Sequence, residues 1–145
     1  MLLSGSRRGV KTLEKKQFMY GEDWLRMNPK ILTWNVRGLG SLERQAAVHK
    51  VIVDYKANLV VLQETKMEVI STELIETVWG NVSLGWEFIP SIGLFDGVLC
   101  LWDPKIFRVE DKKIGGVSIS LLLRNIRDDF AWCFTGVYRP NDYRI

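Results

Sequence analysis

Three short segments carry polar side chains at the ends of apolar runs: Thr33-Trp34-Asn35-Val36-Arg37-Gly38, Leu62-Gln63-Glu64-Thr65-Lys66 and Gly136-Val137-Tyr138-Arg139-Pro140-Asn141. Glu64 offers a hard anionic oxygen of the kind that divalent cations take. The Asn35 amide supplies a donor and an acceptor without charge, which suits it to orienting a water or a neighbouring group. A phenol such as Tyr138 has one O–H to donate. Each residue also has a plain structural reading. Asn35 can end a strand by bonding local backbone, the better reading of that residue alone; Glu64 can be a solvated strand-end acid, and Tyr138 a half-buried aromatic.

The elements around these residues decide between the two readings. Ile31–Val36 is a β-branched and aromatic run stopped by Gly38 and Gly40, the pattern of a buried strand. Ser41 offers an N-cap, and Leu42, Val48, Val51, Ile52 and Tyr55 recur at helical spacing until Asn58, a plausible stop. Leu59–Glu64 is a second continuous apolar strand. Strand, helix and strand within about 30 residues make a βαβ unit, in which the strands run parallel and end on the same edge. Asn35 and Glu64 are therefore expected side by side, where open α/β folds commonly place their chemistry.

Beyond a second helix expected over Glu68–Trp79, the pattern turns to short strands: Trp86–Pro90, Gly97–Trp102, Phe107–Asp111, Val117–Leu123 and Ala131–Tyr138. Turn signals separate them, among them Asp96-Gly97, Asp103-Pro104, Gly115-Gly116 and Arg127-Asp128-Asp129. Successive hairpins imply an antiparallel or mixed sheet. Residues 1–26 carry little periodicity and are expected to form an N-terminal extension, disordered or loosely helical, ahead of a domain over residues 27–145.

At 145 residues, 47% hydrophobic and 26% charged, the chain has the composition of one globular domain at most. The net charge of +3 gives no support for a polyanion-binding face, because residues 28–145 hold fourteen basic and fourteen acidic side chains. Cys100 and Cys133 sit in apolar, strand-like runs and read as two reduced core thiols, with no disulfide partner and no zinc cluster beside the single histidine, His49. His49 itself reads as structural, on the first helix. No apolar stretch approaches a membrane span of about 18 residues.

Taken together, in this order and at these separations, the three segments resemble the endonuclease/exonuclease/phosphatase superfamily. Trp-Asn-Val-Arg-Gly, Gln-Glu-Thr-Lys, the Gly-Val-Leu-Cys-Leu-Trp run and Tyr-x-Pro-Asn look most like the endonuclease of LINE-class retrotransposons abundant in plants. The resemblance implies an incomplete four-layer α/β/β/α sandwich and a Mg²⁺- or Mn²⁺-dependent endonuclease that nicks DNA. It assigns metal binding to Glu64, catalytic roles to Asn35, Glu64 and Tyr138, and substrate phosphate contact to Asn141. It spans roughly Lys30 to Asn141, the N-terminal portion of such a domain.

The family's Gly-Asp-Phe-Asn segment and its Asp-His pair do not occur in these residues. In-line phosphodiester hydrolysis needs a positioned water, an orienting base and positive charge on the phosphoryl oxygens, so the chain alone is expected to cleave little or nothing. Losing half a sandwich is also expected to expose an apolar sheet face and an unpaired edge. Gly93-Leu94-Phe95-Asp96-Gly97 departs from the Ser/Gly-rich stretch of relatives; Leu94-Phe95 is expected to alter the tight backbone path, and Asp96 reads as a harmless turn residue. Two further functions stay open: a non-catalytic remnant or interaction module, and another phosphoesterase of the same superfamily. A nuclear location follows only from an operating nuclease, and the oligomeric state is unknown.

Overall fold

The structure is a computed structural model that describes residues 29–80 and 83–138, together with the backbone of residues 2–7 and 10–14. Its strands are β1 (Leu2–Arg7), β2 (Val10–Glu14), β3 (Lys30–Asn35), β4 (Leu59–Gln63), β5 (Gly85–Ile89), β6 (Val98–Trp102), β7 (Phe107–Ile114), β8 (Ser118–Asn125) and β9 (Ala131–Val137). Helix α1 covers Leu42–Tyr55 and α2 covers Thr72–Trp79. The first sheet has six strands in the order β1-β2-β3-β4-β6-β5, and the second has three in the order β7-β8-β9. Two of those six strands, β1 and β2, fall inside the stretch set apart above as an extension, and β2 pairs antiparallel with β3.

The expected βαβ unit is present. β3 and β4 run parallel, with Trp34 opposite Leu62 and Asn35 opposite Gln63. Their side chains divide between two cores, because successive residues of a strand point to opposite faces. Leu32, Trp34, Val60 and Leu62 pack with Leu99 and Leu101 under Val48, Val51 and Ile52 of α1 and Leu74, Ile75 and Val78 of α2. Ile31, Leu59, Val61, Val98 and Cys100 face the other way, onto Phe107, Ile119, Leu121, Leu123 and Phe134 of the second sheet. Strands covered on both faces read as unbroken apolar runs, and β4 and β6 are buried along almost their whole lengths for that reason. The described residues thus form three layers, helices, sheet and sheet, in keeping with an incomplete four-layer sandwich.

Helix α1 opens on Ser41, whose hydroxyl accepts from the Arg44 N–H at 3.1 Å, an interaction worth about 1 kcal/mol. Its last residue is Tyr55, three before Asn58, and Lys56 caps it in the left-handed conformation. Asn58 instead clasps the start of β3: its side-chain oxygen accepts from Lys30 N–H at 2.9 Å and its own N–H donates to Lys30 O at 2.8 Å. Helix α2 begins at Thr72, capped by Ser71, four residues later than the sequence reading placed it. His49 has the structural role expected of it, with Nδ1 3.1 Å from the Val78 carbonyl, joining the two helices.

Two expectations are corrected. Cys100 is buried, but Cys133 is exposed, because β9 alternates and puts Phe134 inward and Cys133 outward. The outward face of the second sheet is also mixed rather than apolar. Leu122 and Val137 lie there, 38% and 56% exposed, on strands that also carry Ser118, Ser120, Arg124 and Thr135. On its outer edge β9 has no strand neighbour among the described residues.

Candidate functional site

The parallel pairing of β3 and β4 brings their C-terminal ends together, and the chain holds them there with backbone bonds past the last strand residues. Val36 N–H donates to Gln63 O at 3.0 Å, Gly38 N–H to Glu64 O at 2.7 Å and Leu39 N–H to Thr65 O at 2.9 Å. The two loops are thereby zipped together, although Arg37, Glu64 and Lys66 all have positive φ, near 50–55°. Such conformations cost of order 1 kcal/mol or more for a non-glycine residue and persist only where surrounding bonds over-determine them. Gln45 adds to this from α1. It is buried, and its amide donates to Leu39 O at 3.0 Å, tying the Val36–Gly40 loop to the helix.

This frame joins Asn35 to Glu64: the Asn35 Nδ2 donates to Glu64 Oε2. The other end of the same amide, Oδ1, accepts from Arg37 N–H at 3.2 Å. One amide therefore orients the carboxylate and braces the turn that follows β3. Both side chains are half-buried, while Arg37 and Lys66 are exposed on either side.

Tyr138 arrives from the second sheet. Gln63 reaches across the sheets, its amide donating to Val137 O at 3.3 Å, and Tyr138 N–H donates to Val117 O at 3.0 Å. Gly136 packs over Val61, where a Cβ would come within 3.4 Å of both methyls, about ordinary van der Waals contact. The Tyr138 ring is buried, edge-on to Phe95 with centroids 5.6 Å apart, and its hydroxyl donates to Asp96 Oδ2 at 3.4 Å. Burial first, then the negative charges of Glu64 and Asp96 and the bond to Asp96, push the phenol up to about 12. It is therefore a neutral donor at any physiological pH.

Asn35 and Glu64 thus meet at two strand ends, as the βαβ unit led us to expect, and Tyr138 stands at the end of β9 within electrostatic reach of Glu64. Asn141 lies outside the described residues. Asp96, which the sequence reads as a harmless turn residue, accepts from Tyr138 here, and Gln45 and Gln63 take bracing roles that the sequence did not assign them. The signal for Asp96 is topological, because β6 pairs antiparallel with β4, so the residues just before β6 must lie beside those just after β4. Lys66 N–H donates to Asp96 O at 2.7 Å and Thr65 N–H to Gly97 O at 3.3 Å.

No group of three or more His, Cys, Asp or Glu side chains is placed to hold a metal among the described residues. A single carboxylate such as Glu64 nonetheless fits a Mg²⁺ that keeps most of its shell as water and substrate oxygens. Elsewhere, an open cleft of about 620 Å³ lies between β5 and β7, lined by Trp86, Trp102, Glu110 and Lys112 among others. It sits at the opposite end of the strands, since Trp102 pairs with Leu59 and Gly85.

The sequence matches no protein-family profile and no curated protein. Among solved structures it is similar to the human Nocturnin catalytic domain with bound sulfate anion, with a TM-score of 0.59 and 14% identity. That superposition covers 72% of this chain and 47% of the other. The AP endonuclease LMAP from Leishmania major superposes with a TM-score of 0.58 at 17% identity, over 88% of this chain and 45% of its own. The chain thus spans about half the length of either neighbour. The order of its elements, its two facing sheets and these superpositions together make this the endonuclease/exonuclease/phosphatase fold, seen over the portion that carries the Asn35–Glu64 pair.

Proposed function

We propose that this chain carries part of a divalent-metal phosphodiesterase site, derived from a DNA-nicking endonuclease of LINE-class retroelements. The observation that supports it best is the Asn35 amide bonded to the Glu64 carboxylate, at the shared end of two parallel strands and with a neutral phenol beside them. The AP endonuclease among the structural neighbours favours DNA as the substrate class. The retroelement origin rests on Trp34-Asn35-Val36-Arg37-Gly38 and Gln63-Glu64-Thr65-Lys66 alone.

In this reading Glu64 holds Mg²⁺ or Mn²⁺, whose charge would polarise the phosphoryl oxygens when bound. Asn35 keeps one carboxylate oxygen engaged and leaves the other to the metal. Tyr138 donates its proton to a non-bridging phosphate oxygen, where negative charge grows as the nucleophile adds. Asn141 contacts the same phosphate. These residues supply orientation and charge stabilisation but neither a base nor a second carboxylate to position the attacking water. Cleavage by this set alone is therefore slow or absent, since the members of such a site act as a unit.

The test is nicking of supercoiled DNA in Mg²⁺ by the folded chain, beside Glu64→Ala and an EDTA control, with Mn²⁺ binding followed by electron paramagnetic resonance. The expected result is Mn²⁺ binding that Glu64→Ala weakens roughly tenfold or more, with nicking no greater than that of Glu64→Ala. Equal Mn²⁺ binding by both proteins would remove Glu64 from the metal site. Nicking abolished by EDTA and by Glu64→Ala would show that the set suffices for catalysis.

A further inference from the structure

We propose that Asp96 is the positioning residue for Tyr138: its carboxylate accepts the phenol's proton-donating bond in the resting site and holds that hydroxyl until a phosphate oxygen competes for it. The proposal rests, for its substrate, on the reading of Tyr138 as a phosphate donor. Its structural half stands on its own.

A phenol has one O–H to give. Here it goes to Asp96 Oδ2 at 3.4 Å, a distance at the long end for an O–H donor. A long bond of this kind orients the hydroxyl yet exchanges readily for a better acceptor. Phe95, the preceding residue, sets the ring by an edge contact at 72° between planes, so two consecutive residues fix both the ring and its hydroxyl.

The backbone holds Asp96 firmly enough for that task. Its carbonyl accepts from Lys66 N–H and that of Gly97 accepts from Thr65 N–H, so the turn is fastened to the same loop that carries Glu64. Gly97 has φ +87°, and a Cβ there would stand 2.5 Å from Thr65 Oγ1, which leaves glycine as the fitting residue. Ser91 Oγ closes the turn from its other side by donating to Phe95 O at 3.1 Å.

Two anionic groups, Glu64 and Asp96, then act on one phenol. An incoming phosphate must take the proton bond from Asp96 and approach that carboxylate's charge. Asp96 thereby makes occupancy of the Tyr138 donor by an anion selective, favouring it when a cation at Glu64 offsets the repulsion.

The first arm of the test needs no ligand. Tyrosine labelled with carbon-13 at Cζ gives one resonance for each of the four tyrosines, and Tyr138→Phe identifies the one of interest. Asp96→Asn, shown to be folded by circular dichroism, is expected to move that resonance, while the exposed Asp54→Asn leaves it in place. An unmoved resonance in Asp96→Asn would overturn the positioning role.

The second arm measures the affinity of a duplex DNA oligonucleotide without divalent ions. Asp96→Asn is expected to tighten it roughly threefold or more, and to do so only when Tyr138 is present. An equal gain in the Tyr138→Phe background would mean that Asp96 acts through charge alone and would overturn the proposal. If no variant binds DNA, the functional reading of the preceding section fails, and the first arm still decides the contact.

Discussion

The two halves of the molecule solve the same packing problem with opposite residue patterns. In β3–α1–β4 both sheet faces are covered, by helices on one side and by the second sheet on the other, so β3 and β4 bury apolar residues on both faces and the site's polar groups stand at their ends. In β7–β9 only the inward face is covered among the described residues, and inward Ile119, Leu121 and Leu123 alternate with Ser118, Ser120, Leu122 and Arg124. The comparison separates two jobs. The first half holds Asn35 and Glu64 on a rigid, doubly buried platform, and the second delivers Tyr138 from the end of a strand that has one wet face.

The contrast is broken most severely from within. Leu99→Ala, at a side chain with no exposure in the helix-side core, is expected to cost about 3 kcal/mol, whereas Leu122→Ala on the wet face should cost less than about 0.5 kcal/mol. Urea unfolding of both variants checks the pair. Comparable losses would mean that the outward face of β7–β9 is covered after all.

The effect is smaller at Ser41, which caps the helix of the first half. Ser41→Ala removes the acceptor for Arg44 N–H and is expected to lower stability by about 1 kcal/mol, with Ser41→Asp retaining most of it. Urea midpoints of the two variants test the cap, and an Asp variant no better than Ala would assign the loss to something else.

The two thiols report on the halves without a mutation. Burial, with a further contribution from Glu87, pushes Cys100 up to about 12. The native chain should therefore present one rapidly reacting thiol, Cys133, to an aromatic disulfide reagent, and a second only on unfolding. Cys100 and Tyr138 also fix the sign of an alkaline effect. Both lose protons more readily when unfolded, so their contribution is full below their ordinary values of 9.0 and 10.0 and is lost as pH rises towards about 12. Unfolding midpoints measured from neutral to strongly alkaline pH should fall across that window, with Tyr138→Phe falling less steeply.

Much of this was legible in the residues. Apolar runs long enough for strands, a helical repeat between them and Ser41 at its head determined the βαβ unit, because local propensity and burial there agree. The parallel register followed from the connection, and with it the meeting of Asn35 and Glu64. Cys133 was misread because one thiol in an aromatic strand looks the same from either face until a neighbouring sheet chooses which side to cover. Asp96 reads as a harmless turn residue because a turn acid acquires meaning only from what the opposite strand end brings to it. Its meeting with Tyr138 joins residues 42 positions apart, at strand ends of different sheets. Local pattern can specify elements and their ends, whereas contacts between sheets depend on how both sheets twist and seat, a property of the packed whole that no short window of sequence contains.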